Sequence, residues 1–358
     1  MEVDAGLLGT LVAMGFEQEA AANALLITNN ASLDEALDYL QRCCLEAGEG
    51  GAPGGSTTDT KKATPDVQLP ENPTSLADYG YHFNDEGELR HLETGTPFQF
   101  INQKHYEAMG DMIVRHIQEA MLKAYQLTEQ IIPLHDVPYE MPRSCLYMSP
   151  EWETAEVLLL LTHGSGNVRA GQWARKPCFN DSLQIGSVLP YIKKAQEAGW
   201  AVIVLNPNLN EGTINGKRVP IARNESPEAH YLYVWDTFVS KAQAKHVLMV
   251  SHSYGGVSTI NLIEKREKQV LQRLRALALT DSIHFFKHRR ITRQGFDWLA
   301  TNCIDWVSSD LPLDSPVDNK ADCYCVSAGT NKHEHTSGFA IESVFNFFQA
   351  RLEVAAFL

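Results

Sequence analysis

Ser253 is the residue whose setting most directly suggests chemistry. An apolar run, Val247 to Val250, precedes the segment Ser251 to Gly256, and a helix-compatible segment begins at Val257. A strand, a sharp turn and a helix in this order form a nucleophile elbow, which places a serine hydroxyl beside backbone N–H groups that can hold an oxyanion. The sequence therefore predicts Ser253 as a nucleophile, with an ordinary glycine-containing connection as the alternative.

The segment departs from the G-x-S-x-G pattern at its first position, where Ser251 replaces glycine. Serine is small, so the close approach of helix to strand can survive this change. Ser251 weakens the match to this pattern but does not remove it.

A second glycine segment, His163 to Asn167, directly follows the apolar run Val157 to Thr162. An oxyanion loop occupies this position in hydrolases with a nucleophile elbow. We expect the backbone near Gly164 and Ser165, together with Tyr254, to hold an oxyanion. A plain glycine turn with an incidental His163 is the alternative.

An acid and a base follow Ser253 in the order typical of such enzymes. Asp281 ends the apolar run Leu277 to Thr280, and His333 follows the last predicted strand. In a triad the imidazole takes the serine proton and the carboxylate fixes the imidazole tautomer. Three rivals stay open: Asp305 and Asp310 as the acid, and His335 as the base.

Strands and helices alternate through most of the chain, which predicts a largely parallel sheet covered by helices on both faces. Ligands of such sheets bind at the carboxyl ends of the strands, where the predicted site residues fall. The predicted strands are Val157 to Thr162, Ala201 to Asn206, Val247 to Val250, Leu277 to Thr280 and Cys323 to Ser327, after a β-meander over Tyr79 to Phe100. The predicted helices are His105 to Tyr125, Leu183 to Ala198, Pro227 to Ala242, one from Val257, and Ala340 to Phe357.

The first 46 residues predict a separate small bundle of three helices, Gly6 to Met14, Glu17 to Ile27 and Leu33 to Arg42. Ser32 and Glu35 form a capping box for the third helix. Residues 47–75 are rich in Gly, Pro, Ser and Thr and predict a flexible linker. The third predicted part, residues 76–358, contains the predicted sheet.

The bundle resembles a ubiquitin-associated (UBA) domain, on Met14-Gly15-Phe16 and on Ala36-Leu37-Asp38-Tyr39-Leu40. The resemblance implies that Met14, Gly15, Phe16 and Leu40 form an apolar patch for ubiquitin. Gln41 follows Leu40 where many family members have a second leucine. The alternative is that these apolar side chains only fill the core of the bundle.

The rest of the chain, from about Tyr79, resembles the Argonaute-binding-protein-two (Arb2) domain. Matching segments include His163 to Asn167, Ser253 to Gly256, Leu279 to His284 and Ser327 to Thr330. The resemblance implies an α/β-hydrolase-like fold. It also implies a role in Argonaute-linked and histone-deacetylase-linked silencing, as in fungal members, or in nuclear regulation of splicing, as in animal members.

Composition excludes a collagen-like, a fully disordered or a disulfide-scaffold protein. The 358 residues are 44% hydrophobic and 21% charged, which is ordinary globular usage. The formal net charge of −14 disfavours direct nucleic-acid binding. We expect no membrane span, no cofactor and no metal site, seven reduced cysteines, and a nuclear or cytoplasmic location.

These observations support two hypotheses. The first is a noncatalytic adaptor, in which the small bundle binds ubiquitin and the hydrolase-like domain binds an Argonaute, a histone deacetylase or another regulatory protein. The second is an esterase-like serine hydrolase that uses Ser253, His333 and an acid.

Overall fold

The computed structural model describes residues 3–4, 7–8, 11, 18–27, 36, 69–135, 137–284, 290–318 and 323–356. The chain forms two compact units, and the larger one comprises Gln68–Gly164 and Val168–Leu358. No described helix is both long enough and apolar enough to cross a membrane.

An eight-stranded sheet organises the larger unit. Its strands run in the order β12-β11-β10-β9-β5-β6-β4-β3. The six strands from β12 to β6 are parallel, while β4 pairs antiparallel with β6, and β3 with β4. The described strands are β1 Tyr81–Phe83, β2 Leu89–His91, β3 Thr128–Ile132, β4 Ser144–Met148, β5 Val157–Thr162, β6 Ala201–Val204, β7 Glu211–Ile214, β8 Lys217–Pro220, β9 His246–His252, β10 Leu274–Thr280, β11 Cys303–Val307 and β12 Tyr324–Ser327. The predicted α/β-hydrolase-like, mostly parallel sheet is confirmed.

Helices cover both faces of this sheet. Successive residues of a strand point to opposite faces, so a strand buried on both sides is apolar throughout. In β5, Leu158 and Leu160 pack into one hydrophobic cluster, and Leu159 and Leu161 pack into the other. The described α-helices are α1 Gln18–Ile27, α2 Gln103–Lys123, α3 Arg175–Asn180, α4 Leu183–Gly186, α5 Leu189–Glu197, α6 Pro227–Val234, α7 Tyr254–Arg273, α8 Arg293–Asn302 and α9 Thr336–Ala356.

Some predicted elements differ from the observed ones. The predicted β-meander is limited to the antiparallel pair β1 and β2. The helix predicted over Pro227 to Ala242 ends as α-helix at Val234 and continues as a π-helical turn, Trp235–Val239. The sequence analysis did not predict β3, β4, the β7–β8 hairpin, α3, α8 or β11.

Within the first 67 residues the structure describes α1 and a small buried cluster around it. Leu11, Ala21, Ala24, Leu25 and Ala36 are fully buried there. All four predicted ubiquitin-contacting residues, most residues of the other two predicted helices and residues 47–68 of the predicted linker lie outside the described residues. The three-helix bundle and the domain boundaries at residues 46 and 75 therefore stay predictions.

We predict that Leu160→Ala destabilises the larger unit. Leu160 lies in a central strand and is 2% exposed. Removing a buried leucine side chain typically costs about 2–5 kcal/mol of unfolding free energy. Chemical denaturation followed by tryptophan fluorescence measures this loss. Leu92→Ala is the matched control, since Leu92 is 49% exposed, and equal midpoints for the two variants would contradict the prediction.

Candidate functional site

Ser253 lies at a strained turn between β9 and α7. Its φ is 51° and its ψ is −122°, in a region that residues with a side chain rarely adopt. Such a backbone conformation costs roughly 1–3 kcal/mol and persists where the surrounding structure enforces it. The strand, the strained serine and the helix have the arrangement of a nucleophile elbow.

Close contacts explain why small residues surround the elbow. A Cβ on Gly164 would come within 2.7 Å of the Cβ of Ser253, and a Cβ on Gly255 would come within 2.7 Å of the carbonyl oxygen of His163. Real Cβ atoms do not approach other atoms this closely. Glycine at these positions lets the loop after β5 lie directly against the serine.

Ser251 fits the buried position that glycine holds in the G-x-S-x-G pattern. Its Oγ lies 2.7 Å from the Oγ1 of Thr259, and the Thr259 hydroxyl donates to the carbonyl of Gly255 at 2.9 Å. The serine hydroxyl is therefore satisfied inside the elbow. This hydrogen bond explains how the departure from the pattern is tolerated.

Asp281 and His333, the acid and base that the sequence predicted, are in direct contact although 52 positions separate them in the chain. His333 Nδ1 lies 2.7 Å from Oδ2 of Asp281. The other carboxylate oxygen accepts from the backbone N–H of Ser308 at 2.9 Å. Asp281 also has a positive φ of 50°, so the turn after β10 is itself strained to aim this carboxylate.

The contact between Asp281 and His333 shifts the pKa values of both residues. Burial raises the pKa of Asp281, but the hydrogen bonds from His333 and Ser308 outweigh it and the net pKa is lowered. Burial lowers the pKa of His333, but the hydrogen bond and charge of Asp281 outweigh it and the net pKa lies above 6.5. The carboxylate thus stays ionised and stabilises the imidazolium that forms when His333 takes a proton.

His333 lies beside the elbow. Its ring packs against His252, the residue before Ser253, with centroids 4.8 Å apart. Among the described residues no hydrogen bond joins the Ser253 hydroxyl to the His333 imidazole. In enzymes without substrate this bond is often long, and it shortens when the substrate binds.

The three rival residues have other partners. His335 Nε2 lies 3.1 Å from Asp181, and Asp310 accepts from the amide of Asn331 at 2.7 Å. Asp305 is fully buried and accepts from the backbone N–H of Ser282 at 3.3 Å. None of these contacts involves His333.

Two of the predicted oxyanion residues, Gly164 and Tyr254, lie next to Ser253. Tyr254 begins α7, at the end of the helix where the helix dipole favours negative charge. Gly164 lies against Ser253, as described above. Ser165 follows Gly164 in the same loop and is half-buried.

Sequence analysis did not identify two residues that form hydrogen bonds to the segments around Ser253. The Tyr231 hydroxyl on α6 lies 2.8 Å from Thr162 Oγ1 and 3.0 Å from the Gly255 carbonyl. Asn208 donates from Nδ2 to the Gly164 carbonyl at 2.9 Å. These residues lie far along the chain from Ser253, and no local pattern marks them.

Three buried histidines near the elbow stay neutral. Burial lowers the pKa of His163 to about 4, and of His230 and His252 to about 3. His252 Nδ1 donates to the carbonyl of Thr280 at 2.9 Å. His333 differs from these three histidines, because its net pKa is raised above 6.5.

Comparison with known proteins identifies the family. A family model described as the Arb2 domain matches residues 72–313, and one described as a UBA-like domain matches residues 4–43. The Cotranscriptional regulator ARB2A homolog of Xenopus tropicalis is 38% identical over 352 residues, covering 82% of each chain.

The chain belongs to the Arb2 domain family.

Three further comparisons relate this chain to known proteins. Human Cotranscriptional regulator ARB2A is 36% identical over 346 residues, covering 80% of this chain and 82% of the relative. Histone deacetylase clr3 of Schizosaccharomyces pombe is 22% identical over 164 residues, covering 45% of this chain and 23% of that protein. The solved structure of Clr3 superposes with a TM-score of 0.47 at 13% identity, over 72% of this chain and 40% of that chain. The resemblances inferred from the sequence are confirmed at the level of the two families.

We predict that Asp305→Asn changes how the stability of the Arb2 domain depends on pH. Burial raises the pKa of Asp305 well above 3.8, so the folded state holds this proton at pH values where the unfolded state releases it. Wild-type stability then falls as pH rises through that window. Asparagine cannot ionise, yet its oxygen can still accept from Ser282.

The thermal midpoint of the wild type should therefore fall more steeply than that of Asp305→Asn as pH rises above 3.8, the ordinary pKa of this carboxyl. Asp310→Asn is the control, because Asp310 is exposed. Parallel profiles for the wild type and Asp305→Asn would contradict the prediction.

Proposed function

We propose that this chain is a protein of nuclear gene regulation whose Arb2 domain carries a serine hydrolase site. The observation that supports catalysis is the hydrogen bond between His333 and Asp281 beside the strained Ser253. The names of the Xenopus and human relatives, Cotranscriptional regulator ARB2A homolog and Cotranscriptional regulator ARB2A, support the nuclear setting.

The proposed reaction is hydrolysis of an ester through an acyl-enzyme. The Ser253 Oγ attacks the carbonyl carbon while His333 Nε2 takes the hydroxyl proton and Asp281 holds Nδ1–H. The tetrahedral oxyanion accepts hydrogen bonds from the backbone near Gly164 and Tyr254. His333 then returns the proton to the leaving alcohol, and water releases the acid by the same steps.

We predict that a fluorophosphonate probe labels Ser253 in the full chain. Ser253→Ala should abolish labelling, and His333→Gln should slow it roughly a hundredfold or more, because general-base catalysis contributes about that much. Since the pKa of His333 is raised above 6.5, the neutral base becomes available only as pH rises through that higher value. The labelling rate, measured by intact mass, should rise with pH accordingly.

His335→Gln is the matched control, because His335 pairs with Asp181 and not with Asp281. It should label at the wild-type rate. Labelling that persists in Ser253→Ala would assign the reactive hydroxyl to another residue. A folded wild type that stays unlabelled from about pH 6 to about pH 9 would end the hydrolase proposal.

A ubiquitin-binding adaptor is the second candidate, and the UBA-like match over residues 4–43 favours it. In this proposal Met14, Gly15, Phe16 and Leu40 contact ubiquitin. The hydrolase-like domain recruits a regulatory partner, and the likeness to histone deacetylase clr3 supports a deacetylase complex as that partner. An Argonaute complex is the other partner that the family resemblance suggests.

We predict that the full chain perturbs the NMR spectrum of labelled ubiquitin and that Met14→Ala with Phe16→Ala abolishes this effect, since apolar loop side chains of such domains mark interaction sites. Leu92→Ala, an exposed leucine of the Arb2 domain, is the control and should bind like the wild type. An unperturbed ubiquitin spectrum with the wild-type chain would refute ubiquitin binding.

Partner recovery from cells with Ser253→Ala separates the candidates, because an adaptor keeps its partners without the hydroxyl.

A further inference from the structure

The carbonyl oxygen of Gly164 contacts two side chains from different parts of the chain. Asn208 donates to it from Nδ2 at 2.9 Å, and Nδ1 of His163 lies 2.8 Å from it. A carbonyl oxygen only accepts hydrogen bonds, so the His163 ring carries a proton on Nδ1. Burial lowers the pKa of His163 to about 4, so the ring is neutral at neutral pH and this contact selects its tautomer.

The same glycine packs against the side chain of Ser253. A Cβ added at Gly164 would lie 2.7 Å from the Ser253 Cβ and 3.2 Å from its Oγ. The peptide that begins at the Gly164 carbonyl is trans, and a trans peptide is planar with its C=O and N–H in opposite directions. The two donors to this carbonyl therefore also set the direction of the N–H that follows it, next to the proposed nucleophile.

Hydrogen bonds on both sides of Asn208 hold its segment of the chain in place. Two residues before it, the buried Asn206 donates from its backbone N–H to Nε2 of His230 at 3.1 Å. Two residues after it, Asn210 donates from Nδ2 to the carbonyl of Asn224 at 2.7 Å. A side chain whose own segment is held in this way can fix a second group within the tolerance that catalysis requires.

Resting on the hydrolase proposal, we infer that Asn208 and His163 are positioning residues of the oxyanion site. By donating to the Gly164 carbonyl, they keep the N–H of the same peptide directed at the oxyanion that forms when Ser253 attacks an ester. Neither side chain touches the substrate, and each acts through this peptide. Loss of one donor leaves the other in place, so the N–H is displaced rather than removed.

The experiment compares a transition-state analogue, trifluoromethyl propyl ketone, with the ester of the same acyl chain, 4-nitrophenyl butyrate, on the full chain. In the adduct with the ketone, the Ser253 Oγ bonds to the carbonyl carbon and the carbon–oxygen double bond becomes a single bond to an oxyanion. The hydroxyl proton moves to His333. Binding of the ketone therefore depends on the same oxyanion donors as the transition state of the ester.

We expect Asn208→Leu, and likewise Asn208→Ala, to raise the inhibition constant of the ketone and lower kcat/KM for the ester by similar factors, about tenfold to a hundredfold. Misfolded molecules lower the measured kcat/KM but leave the inhibition constant of the folded ones unchanged, so the ketone separates positioning from a purely structural role. Asn302→Leu is the matched control, because Asn302 is also half-buried and donates from Nδ2 to a backbone carbonyl, that of Trp298, at 3.0 Å. It should bind the ketone like the wild type.

Two results would overturn this inference alone. One is an active wild type whose Asn208 variants bind the ketone as tightly as it does, and the other is an Asn302→Leu variant that weakens ketone binding as much as Asn208→Leu. A different result bears on the hydrolase proposal itself. If the wild type neither binds the ketone nor cleaves the ester, and Ser253 resists the fluorophosphonate, that proposal fails and this inference fails with it.

Discussion

The backbone strain at Ser253 is the constraint on which the rest of the site depends. A positive φ in a residue with a side chain is stable only where neighbouring structure enforces it. Here β9 enters the turn from a central position in the sheet, α7 leaves it at once, and Gly164 presses against the serine from the adjacent loop. This arrangement fixes the direction of the hydroxyl before any ligand binds.

The proposed acid, Asp281, also lies at a turn with backbone strain. Asp281 also has a positive φ, and its carboxylate is held from both sides by His333 and the backbone of Ser308. Two strained turns at neighbouring strand ends thus point at one edge of the sheet. Because ligands of parallel sheets bind at these carboxyl ends, strain and topology place the chemistry together.

Burial determines which ionisable side chains near Ser253 carry a charge. The neighbouring buried histidines are neutral because desolvation disfavours their charged form, and the buried Asp305 holds its proton for the same reason. Asp281 alone among these groups keeps a charge, since its hydrogen bonds outweigh its burial.

The sequence by itself predicted the strand-to-helix motif at Ser253, the order of the proposed acid and base, the parallel sheet and the two family resemblances. Each of these can be recognised from short segments of the chain. Only the tertiary structure shows that Asp281, and not Asp305 or Asp310, contacts His333, since that contact depends on which strands are neighbours. It also revealed the contacts of Tyr231 and Asn208. These residues meet the elbow through contacts between distant segments, and such contacts leave no periodicity in the chain.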